Sequence, residues 1–324
     1  MLAFNLYTSK TSIEINLADI LIVSILAYIL LQGLYLNQFN SVRYKYLTLF
    51  VTLFFFKLTY TLYTKHLTFS KHVVAITITV FNFIFLLKII ITKDSPINLI
   101  ERYFDNISLY CIFLALSSVI IIHTLKSSNF KFAKYISYGL TILTLIIIVI
   151  LKSRSAFILL SSYVILEYFK STSSRTTKYL IPSIVVILFC VISAFFVKND
   201  STQGRLFIWK TSALMINDNF FTGIGYDKFA LTYPIYQASQ YEANNMTQKE
   251  IYLADNTAFA FNEYIHITAE LGIVGLIMSL LITVFYFYNG GNYKTIYLSV
   301  FIVLLFSYII HSSIITYTIA LLST

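Results

Sequence analysis

An all-α, polytopic membrane protein is the fold this sequence predicts, with about nine or ten transmembrane helices and one large loop outside the membrane. Three observations predict it. Of 324 residues, 58% are hydrophobic and 11% charged, against about 25% charged in a soluble domain. Apolar runs of roughly 15–20 residues alternate with short polar clusters, the spacing of helices that cross a bilayer. A single long polar stretch, from Asp200 to Glu263, holds seven of the fourteen acids. No soluble segment is large enough for its own core, so the chain reads as one membrane domain. Residues 1–197 form its N-terminal helices, 198–262 the loop and 263–324 its C-terminal helices.

Taken in order, the apolar runs predict helices at 18–36, 46–64, 73–92, 107–125, 135–151, 155–169, 179–197, 264–287 and 295–311. A last run, 314–323, is too short to span and reads as a truncated or re-entrant tenth helix. The N-terminus has no small-residue cleavage site, so the first run is expected to stay as a helix. Cys111 and Cys190 both lie in apolar runs, which argues against a metal site or a disulfide framework. Lys57 and Lys88 lie close enough to helix ends to snorkel.

The net charge of +9 would suggest nucleic acid in a soluble protein; in a membrane protein it marks cytoplasmic loops and anionic headgroups. Ten basic residues fall on one side, among them Lys10, Lys126, Lys170 and Lys294. Six fall on the other, among them Arg43, Arg102, Lys152 and Arg154. This imbalance places the N-terminus in the cytoplasm and the 198–262 loop outside.

Within that frame, Lys152 and Arg154 stand on an outward turn as either an interfacial anchor or a grip for a lipid-linked phosphate or pyrophosphate. Gly204–Asn217 has helical spacing that aligns Arg205 with Trp209, the only tryptophan, on one face. That segment is expected to lie along the outer interface. Gly223-Ile224-Gly225 breaks it. Tyr226, Phe229, Tyr233 and Tyr236 then supply either an aromatic belt or surfaces for sugar faces. Asp255, Asn256 or Thr257 can cap the next helix. On it Glu263, His266 and Glu270 share a face, with Asn262 four residues before His266. Glu270 enters an apolar stretch, where a carboxylate is either functional or paired. Gly272 and Gly275 read as points of close helix approach.

Here the residues resemble a family. Ser153-Arg154-Ser155-Ala156, Arg205-x-x-x-Trp209, Gly223-Ile224-Gly225, Tyr233-Pro234, Asn262-Glu263-Tyr264 and Glu270-Leu271-Gly272-Ile273-Val274-Gly275 occur in the order seen in the O-antigen ligase and polymerase superfamily. Phe104-Asp105-Asn106 is similar to its Phe-x-Asn stretch. The resemblance covers about residues 95–290. Two positions depart from it: Phe261 stands where ligases usually carry His, and Phe220 where Pro is common.

The resemblance implies a bacterial inner-membrane glycosyltransferase of polysaccharide assembly. It would act on glycans carried by undecaprenyl pyrophosphate, with no metal, cofactor or nucleotide-sugar donor. It also implies that Arg154 and Arg205 bind the pyrophosphate. Lys152 lies beside them, and Trp209, Tyr233, Asn262 and Glu270 are expected to contact substrate. Glu263 or His266 could take the proton of the acceptor hydroxyl. The acceptor could be a second lipid-linked repeat unit, a lipid A core as in lipopolysaccharide, or a Ser or Thr of a periplasmic protein. A transporter or flippase of lipid-linked glycan is the rival. It should carry charges along a mid-membrane path, whereas this chain gathers them on one face.

Overall fold

The computed structural model describes residues 2–5, 12–15, 17–36, 100, 104, 106–126, 131–171, 199–312 and 315. The helices expected at 46–64, 73–92 and 179–197, the run 314–323 apart from Ile315, and Lys57, Lys88 and Cys190 lie outside those residues.

A short antiparallel pair, β1 (Leu2–Asn5) and β2 (Ser12–Ile15), opens the chain in the register Leu2 to Ile15. All other regular elements described are helical. α1 (Leu17–Tyr35), α2 (Ile107–Lys126), α3 (Ala133–Ile150) and α4 (Arg154–Ser171) follow the apolar runs to within two residues. The polar loop folds into α5 (Asn199–Asp218), α6 (Phe229–Glu242) and α7 (Gln248–Leu253). Then come α8 (Glu263–Asn289) and α9 (Lys294–Leu304). By length and composition α2 and α8 can cross a membrane; α1, α3 and α9 carry shorter apolar stretches.

Local chemistry sets the ends of these helices. The Ser108 N–H donates to Asn106 Oδ1 at 2.7 Å, which caps α2. α3 closes in a Schellman arrangement: Ser153 N–H donates to the Ile148 carbonyl at 3.1 Å and Lys152 N–H to Val149 at 3.2 Å. That motif needs a left-handed residue, and Lys152 supplies it with φ 52°. α7 has a full capping box between Thr247 and Glu250.

α4 packs between α2 and α9. Leu109, Ile112, Leu116 and Ile120 of α2 meet Ala156, Leu159, Leu160 and Tyr163 of α4, with Ile296, Val300 and Val303 of α9 on the far side. Each set recurs at three- to four-residue spacing, the stripe a helix buries. α8 lies along α1 and α5.

Two groups of contacts fix the ends of this bundle. At one end Lys126 pairs with Glu167 at 3.1 Å, Thr295 donates to Glu167 at 2.7 Å, and His123 lies 5.0 Å from the Tyr293 ring. At the other, the turn before α4, the start of α5 and the residues after α9 come together.

Two expectations change. The helix expected at 295–311 stops at Leu304, and a separate 3-10 turn, Ile309–His311, follows. The break is stable because the Phe306 carbonyl, freed from helical bonding, accepts from Arg205 at 2.9 Å and Ser155 at 3.3 Å. The α8 cap is Asn262, whose Oδ1 accepts from the N–H groups of Tyr264 and Ile265 at 3.0 and 3.1 Å. Asp255, Asn256 and Thr257 lie in the loop before it.

Candidate active site

The two sequence-predicted arginines meet where four segments converge. Arg154 opens α4 and its guanidinium fork donates to Ser201 Oγ at 2.7 Å and Thr202 Oγ1 at 3.0 Å. One turn further along α5, Arg205 donates to the Phe306 carbonyl and lies 5.1 Å from the centre of the Phe261 ring. Among the described residues neither guanidinium is paired with a carboxylate. Burial, with the like charge of Arg154, lowers Arg205 to about 10. Two partly exposed cations with no counter-charge among the described residues form a site that favours a divalent or polyvalent anion. Lys152 is exposed on the adjoining turn.

An acid–imidazole cluster adjoins them. Glu263 is 1% exposed, and its Oε1 lies 3.2 Å from His311 Nδ1. His266 Nε2 lies 3.5 Å from Glu270 Oε1, and the two imidazole rings meet edge to face at 4.7 Å. Aromatic rings join cluster and arginines. Phe259 stacks on Tyr308 at 4.3 Å and lies 4.9 Å from His311, while Phe261 meets Tyr308 at 5.2 Å and underlies Arg205. Sequence spacing found Glu263, His266 and Glu270 on one buried face; it did not find His311. A lone histidine in an apolar run, with Ser307, Ser312 and Ser313 near it, is a weak signal.

Glu270 also organises the loop. Its carboxylate accepts the Asp227 N–H at 2.9 Å and the Phe229 N–H at 3.0 Å, which seats it on the first turn of α6. At this level α8 is broken by Gly272, with φ 66° and ψ −167°. Carbonyls released by the break are taken up by the loop: Ile224 N–H donates to Ala269 and Gly225 N–H to Glu270, both at 3.0 Å. Gln32 of α1 donates to the Glu270 carbonyl at 2.7 Å, and the Tyr28 hydroxyl to Leu271 at 3.0 Å. A Cβ on Gly223 would stand 2.3 Å from the Glu270 carbonyl oxygen, and one on Gly272 2.2 Å from that of Phe221. Gly272 is therefore a break in the helix pressed against the loop, rather than the point of helix approach expected.

The remaining predicted residues are occupied by the protein itself. Trp209 donates its indole N–H to the Ala260 carbonyl at 2.8 Å, which ties α5 to the entry of α8. Tyr233 is 1% exposed and stacks on Phe229 at 5.6 Å. Burial pushes its phenol up to about 12, against a hydrogen bond with Thr211. Asn262 is spent on the cap. The structure thus brings Arg154 and Arg205 together, with Glu263 and His266 behind the Phe259, Phe261 and Tyr308 rings. Among the described residues no group of three or more His, Cys, Asp and Glu has the arrangement of a metal site.

No curated protein matches the chain. Residues 139–280 match the family described as O-antigen ligase. The matched span runs from within α3 into α8, so it contains both arginines, the Gly223-Ile224-Gly225 junction and the Glu263–Glu270 face. That family is one of inner-membrane proteins with ligase- or polymerase-like activity in polysaccharide assembly. Over this span, a little under half of the chain, it is similar to the O-antigen ligase family, in line with the resemblance carried by its motifs.

Proposed function

We propose that the protein is a glycosyltransferase of cell-surface polysaccharide assembly. It takes its glycan from undecaprenyl pyrophosphate at the periplasmic face of the inner membrane, and its N-terminus lies in the cytoplasm. The adjacent guanidiniums of Arg154 and Arg205, paired with no carboxylate among the described residues, carry this reading. The acceptor oxygen attacks the anomeric carbon, the bond from that carbon to pyrophosphate breaks, and the electron pair leaves with the pyrophosphate. Because the leaving group is good, the protein has chiefly to stabilise its growing charge and to place the acceptor. Arg154 and Arg205 meet the pyrophosphate, with Lys152 at the edge. A base in the Glu263 and His266 cluster relieves the acceptor of its proton. Trp209, Tyr233, Asn262 and Glu270 act on the substrate indirectly, by holding α5, α6 and α8 in register. No metal or other cofactor enters the scheme.

A second lipid-linked repeat unit is the acceptor favoured here, which makes the protein a polymerase. Glycan analysis of a deletion strain complemented with wild type, Arg154→Ala or Arg205→Ala tests this. Single repeat units are expected to accumulate on the lipid with either variant. Long chains stranded on the lipid would instead identify a ligase to lipid A core or to protein. Wild-type profiles from both variants would refute the pyrophosphate site, and lipid-linked repeat units retained on the cytoplasmic face would favour a transporter.

A further inference from the structure

We propose that His311 is a catalytic residue of this transfer: with Glu263 it forms one proton-accepting pair, and the imidazole is the member that meets the acceptor hydroxyl. The inference rests on the glycosyl-transfer reading above and names the base that reading leaves open.

Exposure separates the four members of the cluster. The side chains of Glu263, His266 and Glu270 are 1%, 4% and 5% exposed, and that of His311 is 14%. Glu263 is enclosed, so a substrate proton does not reach it directly. Glu270 and His266 are turned to each other and to the start of α6. His311 is the cluster member nearest to solvent.

Position supports the same choice. His311 ends the 3-10 turn that follows the break after α9. Five residues earlier on this segment, the Phe306 carbonyl accepts from Arg205. Base and anion grip are thus carried by one short stretch, braced by Tyr308 between Phe259 and Phe261. A group that must act on the attacking oxygen while the arginines hold the leaving group belongs on such a frame.

The pairing supplies the chemistry. His311 Nδ1 faces Glu263, so Glu263 fixes the ring and its tautomer, and the proton is taken at Nε2. The acceptor O–H bond breaks, its electron pair forms the new bond to the anomeric carbon, and the imidazolium produced is stabilised by Glu263. Glu270 and Asp227 also act on this ring electrostatically, and the His266 ring lies against it. Glu263 is then an orienting carboxylate rather than the base itself.

Membranes of the deletion strain carrying the full-length chain test this, with the strain's own lipid-linked glycan as substrate. Protein levels and elution after detergent extraction are matched between variants. His311→Ala is expected to lower transfer by about 10²–10⁴-fold, and added imidazole to restore part of it. Arg205→Ala is expected to lose transfer with no response to imidazole. His311→Gln, which preserves polarity and much of the shape, is expected to be as inactive as His311→Ala. Transfer by His311→Gln above a tenth of wild type, or a His311→Ala loss that imidazole does not relieve, overturns the assignment. If wild-type membranes move no glycan off the lipid, the glycosyl-transfer reading itself falls. If wild type transfers and the His311 variants keep pace with it, only the role of His311 falls.

Discussion

Arg205 keeps its charge in a place that does little to balance it: one carbonyl, one aromatic face and a second arginine nearby. Burial and that like charge favour its neutral form, so a bound anion gains by restoring the balance. With the group at about 10, the arginine remains cationic throughout the neutral range. Any change in inorganic pyrophosphate binding to detergent-solubilised protein between about pH 6 and 9 is therefore expected to follow the protonation of the ligand and not of the arginine. Binding should weaken as pH rises through about 10, where the cation is lost. Arg205→Lys is expected to weaken the same binding about 10- to 100-fold, since an ammonium cannot donate to Phe306 and lie flat on Phe261 while gripping phosphate. Equal affinity in Arg205→Lys would show that charge alone is used. Sequence could find both arginines because each stands on a short polar motif. It could not find His311, Phe306 or Ser201, which matter only through partners about 50 to 100 residues away.

The junction between α8 and the polar loop shows how two separate motifs become one device. Gly223-Ile224-Gly225 looks like a helix stop and Gly272 like a packing glycine; in the fold each is what the other approaches. Sequence placed the glycines but not their reason, because a broken helix inside an apolar run leaves no polar mark. Gly272 adopts backbone angles almost reserved for glycine, which cost about 1–3 kcal/mol in other residues. Gly272→Ala adds a Cβ to that strain where the Phe221 carbonyl already stands. Its thermal midpoint in detergent is expected to fall, and transfer with it, because Glu270 and the α6 start shift together. Gly139→Ala is the control: its added Cβ meets nothing within 4 Å, and in mid-helix it should be neutral or stabilising. Similar midpoints for the two variants would mean that the junction yields without cost.

At the scale of the whole molecule, the order of the apolar runs and contacts in the bundle give the same division. The alternation of the apolar runs puts Lys126, Lys170 and Lys294 on one side; Lys126 and the starting residues of α9 meet at one end, through Glu167 and the His123–Tyr293 contact. Lys152 and Arg154 were assigned to the other side, and there Arg154 meets the polar loop and Ser155 the turn after α9. These contacts fix which ends are neighbours; which of them faces the cytoplasm still follows from the positive-inside rule. Cysteine labelling in intact cells decides it. Tyr252, 82% exposed on α7, and Lys170, exposed near the end of α4, are suitable positions, while Cys111 is fully buried. With Cys190 replaced, Tyr252→Cys is expected to react with a maleimide that crosses the outer but not the inner membrane. Lys170→Cys should react only after the inner membrane is permeabilised. The reverse pattern would put the arginines in the cytoplasm, where the donor would have to be met before it crosses, and periplasmic transfer would be excluded.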